Sequence, residues 1–302
     1  MIFDFRFLIF DFVLVVGLCQ VADAETLLRW KFAEGEQFLV TVDQHTVTAT
    51  TGAGKPTGID IAMQSRMSWT VDSVDADGTA QITQRIERFA LTMKSGATEP
   101  IEYASDSETK PSGAAADIAA AVSPVIGADF TVTMTNRGAI RAVKLSDAAE
   151  KAFAAVESPA LKQLFSAEGI SQLLGQAAVE LPEQAVAPDA TWSATFTTPS
   201  PLGTLKQGRT YTLVAPEDGD GKSLERIDIT GQLEIAASEQ TPSKLKLIDQ
   251  ELSGKILFDA TAGRLVKSET TQKLTTARPY REFKIKVETT ATTTTTISAV
   301  FR

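Results

Sequence analysis

The last twenty-one residues, Glu282 to Arg302, read EFKIKVETTATTTTTISAVFR, and their alternation limits what the chain can fold into. Every second residue from Phe283 gives Phe283, Ile285, Val287, Thr289, Ala291, Thr293, Thr295, Ile297, Ala299 and Phe301. The intervening set begins Lys284, Lys286, Glu288 and continues through threonines to Ser298. Apolar residues open and close one row without slipping register, which is the period of two of a half-buried strand. Threonine is β-branched and favours strands, and neither Pro nor Gly interrupts the run. A disordered, mucin-like tail is the competing reading, but it would carry no such register. The strand would span about 60 Å at roughly 3.3 Å per residue. It is therefore expected to bend, break or twist around a curved sheet.

The same grammar recurs upstream. LRWKFAEGEQFLVTV predicts a strand near Trp30, a turn, and then Phe38, Val40 and Val42 in alternation. Ile59, Ile61, Met63, Met67, Trp69 and Val71 form one row of the next strand. After a turn at Asp75-Ala76-Asp77-Gly78, the returning strand carries Ile82 and Ile86 in one register and Phe89, Leu91 and Met93 in the other. That switch predicts a bulge or bend between them. Further hairpin turns are expected at Asn136-Arg137-Gly138, Asp218-Gly219-Asp220-Gly221 and Ala262-Gly263, where Gly, Asn and Asp supply positive φ angles.

The middle of the chain differs. SGAAADIAAAVSPVIGA predicts a short Ala-rich helix disturbed near Pro124. SDAAEKAFAAVESPALKQLFSAEGISQLLGQAA predicts two or three short helices, with Ser146, Ser158 and Ser166 as N-caps and Pro159 at a first helical position. Their apolar residues (Ile118, Val122, Phe153, Val156, Leu161, Leu164, Phe165, Leu173, Leu174) need a partner surface. The fold expected is mainly β: a large antiparallel curved sheet, sandwich or incomplete barrel with a few short helices packed on it. A single β-rich domain over 25–302, with a helical insertion at about 113–178, is the organisation read here. Two similar β halves, 25–110 and 180–302, are the alternative.

The start, MIFDFRFLIFDFVLVVGLCQVADA, has an apolar run from Phe7 to Leu18 and a small-x-small triplet at Ala22–Ala24. It is read as a signal peptide over 1–24 with cleavage between Ala24 and Glu25, giving an exported, periplasmic or extracellular protein. The run is short for a membrane span. Lipidation at Cys19 is the lesser reading, because Leu18 stands where a lipobox needs a small residue. Removing the leader removes the only cysteine, and with it any disulfide, thiolate ligand or Cys nucleophile. Stability must come from a core, and 43% hydrophobic residues can build one. The net charge of -9 argues against nucleic acid or anionic membrane as a partner.

LRWKFAEGEQFLVTV, MSWTVDSVDADGTAQITQRIERFALTM and LPEQAVAPDATWS together resemble a family of uncharacterised secreted bacterial proteins, classed as a domain of unknown function. The resemblance covers most of the chain after the leader and brings no catalytic motif with it. A weaker, architectural similarity is to periplasmic lipoprotein carriers, which implies a half-closed barrel around an apolar cavity.

The residues offer little chemistry. His45 is the only histidine, which excludes the usual zinc sites, and no Gly-x-Ser-x-Gly elbow accompanies it. Lying on the row opposite Val40 and Val42, it reads as a solvent-facing strand residue. GAGKPT and DGDGKS look like phosphate loops, but Ala49 and Pro216 stand where the first glycine is needed. The acidic turns at Asp75/Asp77 and Asp218/Asp220 lack the Glu of a calcium loop, with Gln84 standing in its place in the first. Glu87 with Glu225 or Asp228 could in principle form the carboxylate pair of a hydrolase. No catalytic, cofactor or metal residue is assigned. The function expected is a non-enzymatic envelope protein that binds a hydrophobic or lipid-like ligand or an envelope partner. The alternative is a structural or interaction module with a solid core.

Overall fold

A computed structural model of the protein describes residues 25–52, 54–96, 98–154, 156, 166–200, 203–219, 221–236, 246–280 and 283–300. The leader with Cys19, and also Ser158, Pro159, Leu161, Leu164, Phe165, Asp220 and Phe301, lie outside the described residues. The strands are β1 Gln37–Thr51, β2 Thr57–Val74, β3 Ala80–Ser95, β4 Ile101–Ala104, β5 Asp129–Met134 and β6 Ile140–Leu145. They continue with β7 Thr191–Ser200, β8 Gly203–Gly219, β9 Lys222–Ala236, β10 Lys246–Asp259, β11 Arg264–Tyr280 and β12 Phe283–Ala299. The helices are α1 Ala114–Val122, continued by a 3-10 turn at Ser123–Val125 that holds Pro124, then α2 Asp147–Ala154 and α3 Ala167–Ala177. No helix among the described residues is long and apolar enough to cross a membrane.

All the strands join one antiparallel sheet, ordered β6-β5-β3-β2-β1-β12-β11-β10-β9-β8-β7, with β4 added on β3. It is curved and does not close into a barrel. Hairpin neighbours pair locally, as their turn residues predict. The exception is the central seam, where β12 lies against β1 from Phe38↔Ala299 to Thr51↔Lys286. β12 is thus a single unbroken strand with β1 on one side and β11 on the other. Its odd-numbered residues from Ile285 are half-buried or buried; Lys284, Lys286, Glu288, Thr290 and Thr292 on the other row are exposed.

Cross-strand pairing carries that row across the whole sheet. At the lower end, Leu145, Phe130, Gln84, Trp69, Phe38 and Ala299 lie side by side on one face. The register between β2 and β3 slips at Arg66/Met67, so Ile86 pairs with Met67 and Phe89 with Ser65. The bulge brings Phe89, Leu91 and Met93 onto the same inner face as Ile82 and Ile86. This is the switch the sequence predicts, and its reason is that one extra residue reverses side-chain parity.

The core fills the lower end of this inner face. Phe38, Val40, Val71, Ile82, Phe130, Val132, Leu213, Ile227, Ile256 and Phe258 are buried in one cluster with Ala149 and Phe153 of α2 and Ile170 of α3. Ser146 and Ser166 cap α2 and α3 as expected: their Oγ atoms accept from Ala149 N (3.1 Å) and Gly169 N (3.0 Å). α3 packs against both edge strands, β6 and β7, so the sheet curls far enough for one helix to span its two edges.

The strand expected near Trp30 is not one. Apart from an isolated bridge between Thr26 and Val186, residues up to Gly35 form a strap across the lower end of the sheet. Trp30 N–H donates to Asn136 O (2.7 Å), Lys31 N–H to Gly263 O (2.9 Å) and Gly35 N–H to Val71 O (2.8 Å). The acceptors belong to three separate parts of the sheet, so no ladder can form. The apolar alternation instead buries Leu28 and Trp30, the latter stacked on Phe32 and edge-on to Phe258. The strap passes so close to Gly138 that a Cβ there would lie 2.5 Å from Val179 O and 3.0 Å from Trp30 Nε1.

Candidate functional site

A cavity between sheet and helices is what the lipid-carrier similarity implies; at the lower end the described residues of sheet and helices pack into the core described above. A half-buried apolar surface lies higher on the β2–β3 side of the same inner face (Ile61, Met63, Leu91, Met93), whereas Ile229 and Tyr211 across the sheet belong to the buried core. Two rows describe this face. One runs Tyr103, Leu91, Met63, Gln44, Thr293, Thr270, Gly254, Ile229, Tyr211, Trp192 from β4 to β7. The next runs Ile101, Met93, Ile61, Thr46, Ala291, Gln272, Leu252, Gly231, Arg209, Ala194. The first row is large and mostly apolar at both flanks and small or hydrophilic at its centre; the second has large apolar side chains at Ile101, Met93 and Ile61, then Thr46, Ala291 and Gln272, and ends in Leu252, Gly231, Arg209 and Ala194.

The profile follows from the sequence. The threonine run supplies β12, and Thr46 and Thr48 face it from β1. These side chains cannot fill the space that a Leu or Ile row would occupy, so the centre becomes a shallow floor beside the apolar β2–β3 side. The floor is concave on this side: Val42, Gln44, Thr46, Thr48 and Thr50 are half-buried, whereas Asp43, His45, Val47 and Ala49 on the other face are exposed. Among the described residues, none of the helices makes a substantial contact with β1, β2 or β8 to β12. The wall on β2 to β4 is correspondingly half-open, and Ile59 at its upper end is 40% exposed.

The charged candidates from the sequence lie elsewhere. His45 is on the outer face of β1, 56% exposed, with Nε2 2.9 Å from Asp60 Oδ1. It borders an outer groove of about 440 Å³ crossed by a polar chain, in which Arg88 Nη1 donates to Gln64 Oε1 and Gln64 Nε2 to Asp43 Oδ1, both at 2.8 Å. A larger open groove, about 1060 Å³, lies between β4 and α1 and is lined largely by polar groups such as Glu99, Glu102 and Lys110. Neither groove gathers a set of reactive side chains.

Asp75 and Asp77 serve the β2–β3 turn. Gly78 N–H donates to Asp75 O (2.9 Å), and Thr79 N–H donates to Asp77 Oδ1 (2.9 Å), which holds the Asp77 carboxyl below its usual range. Lys222, from the DGDGKS stretch, donates to Asp259 Oδ2 (3.1 Å). Among the described residues no group of three or more His, Cys, Asp or Glu side chains could share a cation. Glu87 is exposed on the outer face, accepting from Ser68 Oγ, while Glu225 pairs with the inner-face Phe258. Asp228 is engaged by Arg226 (2.8 Å). The three carboxylates therefore do not face one another across a cleft.

A charged feature unremarked in the sequence is Arg209, on the inner row of β8 between Gln207 and Tyr211. Its Nη2 donates to Gln207 Oε1 (3.1 Å), and its guanidinium carbon lies 4.9 Å from the Phe196 ring centroid. Tyr211 is fully buried, stacked on Trp192 at 5.6 Å, and its hydroxyl has no hydrogen-bond partner of good geometry. Burial pushes its phenol pKa up, against the opposing pull of the Arg209 guanidinium. The signal was available: in LKQGRTYTLV, a strand row of Leu205, Gln207, Arg209, Tyr211 and Leu213 puts a guanidinium where apolar residues belong.

Residues 77–265 match the model of a family described as a family of unknown function (DUF6263), well over half of the chain. This agrees with the resemblance to a domain of unknown function read from the strand phrases. No curated protein sequence matches. Among solved structures, the chain is similar to lipovitellin at 9% identity and a TM-score of 0.46, covering 87% of this chain. It spans only a quarter (25%) of the lipovitellin chain. A putative exported protein of YmcC-like fold from Bacteroides fragilis is similar at 9% identity and a TM-score of 0.24, over 86% of this chain and 96% of that one. A DUF1329 family protein from Desulfovibrio piger is similar at 12% identity and a TM-score of 0.18, over 83% of each chain. These scores are too low for the likenesses to carry an argument about function.

Proposed function

The chain belongs to DUF6263, a family of unknown function, and we propose that it is an exported, non-enzymatic protein that holds an elongated apolar ligand. The ligand, such as an acyl chain, lies on the upper part of the inner face. The observation that carries this reading is the row profile: a half-buried wall of Ile61, Met63, Leu91 and Met93 borders a floor mostly of Thr, Gln, Gly and Ala, and no described helix makes a substantial contact with β1, β2 or β10 to β12. A curved sheet normally covers such a face with its own elements. Concave, mostly apolar surfaces with a few polar groups are the common form of small-molecule sites. Export rests on the leader-like residues 1–24. The absence of enzymatic activity rests on the scattered carboxylates and the outer-face position of His45.

Organic extraction and native mass spectrometry of the purified protein test the proposal. A co-purifying amphiphile, or uptake of a fluorescent acyl probe, is expected. Ile61→Glu, on the wall, should abolish uptake, whereas Val47→Glu, exposed on the opposite face, should leave it unchanged. A folded protein that neither carries nor takes up any apolar molecule would refute the reading. The filled lower end supports the second reading, an interaction module whose open face docks a protein. The same extraction separates the two, since that module would yield no amphiphile.

A further inference from the structure

On the upper inner face the apolar wall passes directly into a floor of hydroxyl and amide side chains. Gln44 lies beside Met63 and Thr46 beside Ile61; the two rows continue through Thr293 and Thr270, and through Ala291 and Gln272. All of these floor residues are half-buried and uncharged. Gln44 Nε2 donates to Thr46 Oγ1 (3.4 Å), and Thr48 Oγ1 lies 3.2 Å from Thr289 Oγ1. The side chains of Thr270, Gln272 and Thr293 make no such bond among the described residues, so their donors and acceptors face the open side of the sheet. The same strands carry their charges on the other face, where Asp43, Glu251, Lys273, Lys286 and Glu288 are exposed.

Building on the ligand reading above, we infer that the ligand is an uncharged amphiphile of the monoacylglycerol class. Its acyl chain lies against Ile61, Met63, Leu91 and Met93, and its hydroxyl and ester groups lie on the floor. Gln44, Thr293 and Thr270 stand one, two and three strand spacings from Met63, which places those polar groups about 5–14 Å from the wall at ~4.8 Å per strand. Threonine hydroxyls and glutamine amides both donate and accept, matching a head group that does the same. An ion on this half-buried floor would lose hydration without meeting an opposite charge, a cost that a hydroxyl or ester escapes by hydrogen bonding. The net charge of -9 adds a long-range penalty for an anion.

The experiment compares monododecanoylglycerol, dodecanoate and dodecyltrimethylammonium as competitors of a fluorescent acyl probe on the purified protein, at neutral pH and below their micellar concentrations. The glyceride should bind about tenfold or more tightly than either ion. Gln272→Leu combined with Thr293→Val should cut that preference several-fold, whereas Thr290→Val, exposed on the outer face of the same strand, should leave it unchanged. Gln272→Lys should move the preference towards dodecanoate; it serves as the second readout if the combined variant does not fold. Binding of either ion as tightly as the glyceride by the wild-type protein would overturn the uncharged class and leave the apolar reading standing. Binding of none of the three would overturn both.

Discussion

Tyr211→Phe deletes one oxygen from the most enclosed aromatic residue of the inner face, and the structure sets the sign of the effect. The side chain is fully buried, its ring is stacked on Trp192, and its hydroxyl, beside Arg209, has no hydrogen-bond partner of good geometry. The ligand-free protein therefore bears the desolvation of an O–H without a compensating bond, about 1–3 kcal/mol. Phenylalanine keeps the stack and leaves a gap smaller than a methyl group, which costs less than about 1 kcal/mol. The variant should gain about 0.5–2 kcal/mol. At about 2–4 °C per kcal/mol for a domain of this size, the melting temperature should rise by a few degrees. The assay is urea and thermal unfolding of delipidated protein at neutral pH, with an unchanged m-value as the check that only stability moved. A variant less stable than wild type by 1 kcal/mol or more would show that the hydroxyl is well hydrogen-bonded in the folded protein, and the reasoning would fail.

Gly138 adopts φ +90° where the strap crosses, so Gly138→Ala should destabilise by about 2 kcal/mol or more through backbone strain and the clash with Val179 O; denaturant midpoints measure this. Asp259 has a folded-state pKa lowered first by the Ala262 N–H and then by Lys222, against the opposing effect of burial. Its contribution is therefore present above the unfolded carboxylate value of about 3.9 and lost as pH falls through the lower folded value. Asp259→Asn should weaken the protein at neutral pH and flatten the decline below about pH 4; an unaltered pH profile of unfolding midpoints would contradict this. The amides of β12 from Ile285 to Ile297 should rank among the slowest to exchange with deuterium, since the strand is paired on both sides.

Much of the fold can be read directly from the residues. The β12 row, the Ile59–Val71 row of β2 and the parity switch around Ile86 all appear as written, because alternation is local and a bulge changes parity within a few residues. The caps at Ser146 and Ser166 are equally local. Trp30 shows the limit: alternation reports burial, and burial needs no neighbouring strand when turns from elsewhere accept the hydrogen bonds. The site was less legible than the fold. Its wall on β2 and β3 and its floor on β11 and β12 come from opposite ends of the chain, joined only through the β1–β12 pairing of residues some 250 positions apart. No local pattern encodes that pairing. Arg209 could have been flagged as a charge in an apolar row, but Tyr211 becomes notable only once its hydroxyl is seen to be buried.

The position of β12 has a consequence for how the chain reaches this state. The last strand in sequence is the middle strand in space, so everything before it forms two separate meanders, each with a bare edge that only β12 can seal. A chain made from its N-terminus cannot complete the sheet until β12 is free, and the long loop between β1 and β12 must then be closed. The sheet remains open until β12 has been made, and its commitment to the native order falls on the seventeen threonine-rich residues Phe283–Ala299.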